Sequence, residues 1–224
     1  MNRTRPQRHL QLCVLICFLF VAGRASAQVV PPGGCETPVA ERRSEVGYYL
    51  ITTAPIGTLS DAPVAWHLDQ YPTKTAAETA KGARGTVVES FGKIWLFTIE
   101  SPSWRAPAGG THIATVGPLP IHAGHTYSAR YMEALFTPGM KGAGHTHSGP
   151  EAWYVVSGSQ CLETPDRVLL AHAGDSAVIV QGPPMAISSV GTEIRRSVLV
   201  VLHDSTEPWI TTDPVWKPKG LCPQ

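Results

Sequence analysis

The 224 residues carry 18 Lys and Arg against 17 Asp and Glu, with 43% hydrophobic and 16% charged residues. So even a balance leaves no basic excess to attract nucleic acid or an anionic membrane. Without its first 27 residues, which hold four arginines and no acids, the chain keeps 14 bases against 17 acids, a formal charge of −3.

Those first residues form an element of their own. Arg3, Arg5 and Arg8 make a basic start, and Leu10–Ala22 is a mostly apolar stretch of 13 residues, too short to span a bilayer comfortably. Ala25-Ser26-Ala27 then offers small residues for cleavage. The pattern reads as a secretory signal peptide, residues 1–27, removed between Ala27 and Gln28, with an uncleaved anchor as the alternative. Ile16-Cys17 lacks the small residue expected before a lipidated cysteine. No later run of about 18 apolar residues follows, so the mature protein is expected to be exported, periplasmic or extracellular, and free of the membrane.

Cleavage removes Cys13 and Cys17 and leaves Cys35, Cys161 and Cys222 in a compartment that permits disulfides. Three cysteines make at most one internal bridge. Cys222 is the expected participant, because a free C-terminal tail gains most from being tied down; its partner is Cys35 or Cys161. The single asparagine, Asn2, lies inside the signal, so the mature chain has no N-glycosylation acceptor. That fits a bacterial periplasmic protein.

Gln28–Gly34 is a Pro/Gly-rich lead. Gly47–Thr53 has the aromatic and β-branched enrichment of a strand, and Thr73–Lys81 is an Ala-rich, polar, short helix. Gly85–Glu89 and Lys93–Glu100 come next, separated by Ser90-Phe91-Gly92, and read as a strand pair. Ile94-Trp95-Leu96-Phe97 is apolar at successive positions, so both faces of that strand should be covered. Residues 28–110 are read as an α+β elaboration packed on the C-terminal half of the chain, with a second, degenerate barrel as the alternative. Ser101–Gly124, dense in Pro and Gly with a strand at Thr111–Val116, marks the boundary.

From His125 the spacing becomes regular. Strands are predicted at Thr126–Thr137, Ala152–Val156, Cys161–Glu163, Val168–Leu170, Ala177–Val180 and Ile194–Leu202. Short strands punctuated by Gly and Pro argue for a sandwich or barrel over 125–204. Residues 205–224 are a tail that Trp209 and Trp216 would pin across the outside, with Cys222 near its end.

Within this region Gly139–Gly158 carries the chemistry. If His145-Thr146-His147 is extended, its two imidazoles leave the same face of the strand. Gly149-Pro150 is a turn signal, so Glu151 should open the next strand and fold back beside them. Two imidazoles and a carboxylate form a 2-His-1-carboxylate set with open positions, suited to iron or another divalent transition metal.

The spacing of Gly139, His145, His147, Glu151 and Gly158 resembles the first sequence motif of the cupin superfamily, and Gly174 and Gly182 fall where its second motif has glycines. The resemblance implies an all-β fold, a double-stranded β-helix or jelly-roll barrel, carrying the N-terminal α+β elaboration. It also implies a divalent metal (Fe, Mn, Zn, Ni or Cu, not distinguished) on His145, His147 and Glu151, with a metal-free barrel whose histidines hydrogen-bond one another as the alternative. One position departs from the pattern: the fourth ligand, a histidine, should lie at 185, where this chain has Met185. Met185 could be a weak thioether ligand, favouring Cu(I), or an adaptable apolar filler.

Among other candidates, His203 is in register with Leu199 and Val201 and could face the interior; His122 and His125 lie before the barrel, and His172 in a turn. Adjacent Trp153 and Tyr154 must point oppositely, as must Arg130 and Glu133. None is named as catalytic. No Gly-x-Ser-x-Gly elbow or Cys/His nucleophile pattern competes with the metal reading. Two functions stay open: a metal-dependent cupin enzyme (dioxygenase, isomerase, lyase or decarboxylase) on a small molecule, and a non-catalytic small-molecule-binding or structural module with a degenerate metal site. A homodimer is open in either case. Polar groups around Met185 would favour chemistry; an aliphatic lining would favour binding or packing.

Overall fold

The computed structural model describes residues 28–30, 36–212 and 215–223. The signal segment and Cys35 lie outside them. In chain order the strands are β1 (Val29–Val30), β2 (Gly47–Thr58), β3 (Val64–Tyr71), β4 (Gly85–Ser90), β5 (Lys93–Glu100), β6 (Thr111–Leu119) and β7 (Thr126–Phe136). There follow β8 (Lys141–Gly142), β9 (His145–His147), β10 (Glu151–Ser157), β11 (Ser159–Glu163) and β12 (Val168–His172). The last are β13 (Ser176–Ile179), β14 (Ala186–Val190), β15 (Arg195–Asp204) and β16 (Ile210–Thr212). Helix α1 (Lys74–Ala80) starts at Thr73, whose hydroxyl accepts from Ala76 N at 3.1 Å and satisfies a first-turn donor.

The strands build three layers. One five-stranded sheet runs β1-β8-β14-β11-β12, a second runs β13-β10-β15-β7-β2, and a four-stranded sheet runs β4-β5-β3-β6. Apart from the parallel β1–β8 pair, neighbours in these sheets are antiparallel. The two five-stranded sheets face each other as a double-stranded β-helix, so the fold is an all-β jelly roll. Their inner faces meet around Phe136, Trp153, Leu162, Ile187 and Leu199.

The middle sheet is buried on both sides. Alternate residues of β7, β10 and β15 point outward (Tyr131, Ala152, Val200) and pack against Trp66, Trp95 and Phe97 of the four-stranded sheet. Trp66 and Phe97 meet edge to face at 5.1 Å, and Phe97 lies 5.2 Å from Tyr131. Fully buried aromatics of this kind contribute about 2 kcal/mol each over exposure. The other face of β5 is also covered, since Leu96 lies under α1 with Ala77 and Ala80. This is the double coverage that the Ile94–Phe97 run predicts.

The boundary at 110 needs correcting. β2, assigned by sequence to the elaboration, is the outermost strand of the middle sheet, paired with β7 from Gly47–Leu135 to Thr58–Thr126. β6, at the predicted boundary, belongs to the four-stranded sheet through β3. Strand pairing is non-local, and no local pattern announces it.

The tail is fixed at both ends. β16 pairs with β9, and the Cys161–Cys222 disulfide closes the far end, choosing Cys161 over Cys35 as partner. Beside it the buried Glu163 carboxylate accepts successive backbone N–H groups from Lys219, Gly220 (3.1 Å) and Leu221 (3.1 Å). Among the described residues no helix is long and apolar enough to cross a membrane.

Candidate metal centre

The His145–His147 strand lies apart from both barrel sheets. It pairs with β16 on one side, Thr212 opposite His145 and Ile210 opposite His147. On the other side His145 and Met185 exchange both backbone hydrogen bonds, at 3.1 and 2.9 Å. Being extended, the strand sends both imidazoles to one face, with ring centroids 4.8 Å apart.

Glu151 arrives from the adjacent turn. A Cβ on Gly149 would sit 1.9 Å from Leu202 O, so only glycine lets the turn press against β15. Pro150 O then accepts from Leu202 N at 3.0 Å, and Glu151 begins β10 between Ile179 and Val201. At the other end of β10 Gly158 adopts φ +70°, and a Cβ there would meet Ile194 O at 2.7 Å.

All three side chains are buried, and their ligand atoms lie within 4.8 Å of one another. His145 Nδ1 is 2.8 Å from Ala143 O and His147 Nδ1 is 2.9 Å from Trp209 O. A carbonyl can only accept, so both Nδ1 atoms carry a proton, and Nε2 is the atom each ring has left to offer a metal. His147 Nε2 is 3.4 Å from Glu151 Oε2, which has no hydrogen-bond partner among the described residues. Burial first, then the neighbouring His147, holds the His145 imidazole below its ordinary pKa, although Glu151 and the Ala143 carbonyl oppose the shift. A neutral imidazole is the form that ligates. The residues therefore fit a divalent transition metal, which would replace the missing partner of Glu151 Oε2.

Met185 shares a face with His145 because directly paired residues of an antiparallel pair point the same way. It is buried in the apolar cluster of Trp153, Ile179, Ile187 and Val201.

Sequence reasoning missed the contribution of Trp209 beyond pinning. Its ring stacks on His147 at 5.6 Å, and its Nε1 donates to Glu36 at 2.5 Å. The Arg130 guanidinium lies 4.4 Å from the same ring centroid and donates to Glu36 at 2.9 Å. No sequence signal identifies which carbonyl will meet a histidine 62 residues away.

The remaining candidates separate cleanly. Arg130 faces the site, whereas Glu133 points to the opposite face and accepts from Ser90 Oγ (2.5 Å) and Arg42 (2.7 Å). Trp153 is inside the barrel, and Tyr154 packs against the outer core. His203 Nδ1 donates to Asp204 O at 2.9 Å; burial lowers its pKa, and Arg130 and His147 are among the charges it feels. His125 Nδ1 bonds Asp204 at 2.6 Å, with His122 5.5 Å away ring to ring. His172 bonds Ser159 Oγ at 2.8 Å. None of His122, His125 and His172 joins the group of His145, His147 and Glu151.

No protein-family model matches the chain, and no curated protein sequence matches it. Solved structures do. A cupin superfamily protein from Desulfitobacterium hafniense aligns at 13% identity over 38% of this chain and 74% of its own, with a TM-score of 0.32. A protein from Klebsiella pneumoniae with a double-stranded β-helix domain aligns at 21% identity over 42% and 75%, with a TM-score of 0.34. A polyketide cyclase from Streptomyces resistomycificus aligns at 22% identity over 41% and 63%, also at 0.34. Such distant likeness carries nothing about activity.

Proposed function

We propose that the chain is an exported cupin-type protein that binds a divalent transition metal through His145, His147 and Glu151 and acts on a small molecule in the barrel. One observation carries the reading: both Nδ1 atoms are committed to main-chain carbonyls, leaving the two Nε2 atoms beside a buried carboxylate oxygen that has no hydrogen-bond partner among the described residues. A bound metal would supply a Lewis acid with open positions for water or substrate. The chain's own part is to hold both imidazoles oriented, present the Glu151 carboxylate beside them and exclude bulk water behind the Trp209 segment.

A second reading has its own support. Met185, at the position of the expected fourth ligand, is surrounded by apolar side chains, which favours a non-catalytic binding or structural module with a degenerate metal site. Elemental analysis of protein purified from the exported fraction tests the metal. About one equivalent is expected, falling to background in His147→Ala; a metal-free parent that also fails to take up Zn, Mn, Fe, Ni or Cu on dialysis would end the enzyme reading and leave the module. Substrate turnover by the loaded protein then divides enzyme from module.

A further inference from the structure

The barrel interior contains a second polar cluster, built on Arg195. Along β15 this residue lies about 20 Å from Val201, the partner of Glu151. It is 1% exposed. Its guanidinium sits 4.3 Å from the Phe136 ring centroid and 6.0 Å from that of Tyr48, and its Nη1 donates to Gln160 Oε1 at 2.8 Å. Gln160 shares the inner face of β11 with Leu162, and its cross-strand partner Ser189 shares the inner face of β14 with Ile187. Gln160 is 0% and Ser189 1% exposed.

These three side chains leave a coherent set of groups unused. Arg195 Nε and Nη2, Gln160 Nε2 and Ser189 Oγ make no close hydrogen bond among the described residues, although the Tyr48 hydroxyl stands near enough to the guanidinium to support its charge. No described carboxylate stands within ion-pair distance of Arg195. Every unused nitrogen is a donor, and the serine hydroxyl can donate. Nε and Nη2 also form the side-on edge of the guanidinium, the fork that matches two oxygens of a planar anion. Water could satisfy donors here but would not neutralise a fully buried cation. Burial works against the Arg195 charge, with Tyr48 and the more distant Glu151 on the other side.

We propose that Arg195, Gln160 and Ser189 form an oxyanion site in the barrel interior. Its ligand is a small planar oxyanion, such as a carboxylate, that accepts both side-on donors of Arg195 together with Gln160 Nε2 and Ser189 Oγ. The site does not depend on the metal reading. A carboxylated small molecule in the barrel would place its anionic end here.

Calorimetric titration of the EDTA-treated full chain with sodium formate and, separately, sodium nitrate tests it. The expected result is saturable one-to-one binding that raises the melting temperature and weakens about tenfold or more in Arg195→Met. Arg195→Lys, which keeps the charge and loses the fork, should fall between the two. Formate binding with nitrate silent assigns a carboxylate; equal binding of both assigns a general oxyanion. Should Arg195→Met fail to fold, Gln160→Leu and Ser189→Ala carry the test and should each weaken binding several-fold. A parent that binds neither anion, or replacements that bind as the parent does, would overturn the site. EDTA keeps this outcome separate from any failure of the metal centre.

Discussion

Trp209 holds His147 by two independent contacts: its carbonyl accepts the Nδ1 proton at 2.9 Å, and its indole stacks on the imidazole at 5.6 Å between centroids, 20° from parallel. The first contact sets the tautomer and the second the ring plane. Groups that orient a ligand in this way typically change metal affinity by about 10- to 100-fold when removed. Trp209→Ala keeps a carbonyl but loses the stack and the Glu36 and Arg130 contacts, so Zn(II) affinity should fall by about tenfold. Competition titration against a chromogenic chelator measures it, and an unchanged constant would show that the ring plane is set elsewhere.

Met185→His should add a third imidazole, as a fourth ligand, on the face that His145 already occupies. Imidazole binds Zn(II), Mn(II) or Fe(II) far better than a thioether does. Metal bound only by the folded state stabilises it by about 2.7 kcal/mol at 100 times the dissociation constant. The gap between melting temperatures with metal and with chelator should therefore widen in Met185→His, and shrink in His147→Ala in either background. No metal-dependent shift in Met185→His would mark the centre as a relic, and the enzyme reading would be dropped.

The Cys161–Cys222 bridge spans 61 residues, for which the loop-entropy relation gives about 4 kcal/mol. Cys222→Ser should lower the urea midpoint accordingly. It should also expose the tail to proteases, because the Glu163 contacts to Lys219, Gly220 and Leu221 would then act alone. Thiol counting under denaturing, non-reducing conditions should find one free thiol per mature chain, that of Cys35. Three free thiols on a chain whose mass shows the leader removed would mean no bridge.

His67, His145 and His203 all have pKa values lowered from 6.5 chiefly by burial. The folded state keeps them neutral, so the unfolded state takes up protons first as pH falls. Their contribution is whole above about pH 7.5, declines as pH drops through 6.5, and levels off below the folded values. Asp204, lowered from 3.8 to about 2 by Thr206 and His125, adds a further loss only between those values. Urea midpoints in EDTA should trace this acid limb. His67→Gln, which can still donate to Ser101 O, should make it shallower; an unaltered slope would remove His67 from the account.

Much of the barrel and the convergence of His145, His147 and Glu151 was legible because their signals are local. His-x-His on an extended strand needs only the alternation of side chains, and Gly149-Pro150 brings Glu151 back without distant help. β3 escaped notice because His67, Asp69 and Gln70 are poor strand formers by composition. Its polar face is instead buried and bonded, His67 to Ser101 O at 2.9 Å and Asp69 Oδ1 to His112 at 2.9 Å. β14 was hidden by Ser188 and Ser189, which periodicity reads as loop. The partner of β2 and the carbonyl facing His147 lie far along the chain, where composition carries no information.

Strand β9, which carries His145 and His147, takes its edge hydrogen bonds from residues 210–212, a segment that follows β15 in the chain. Synthesis reaches that segment only after β15. A nascent chain can have β7, β10 and β15 complete while His147 still lacks the carbonyl that sets its tautomer. Truncation before Trp209 would leave the barrel sheets their strands and strip His147 of the carbonyl and the ring that orient it.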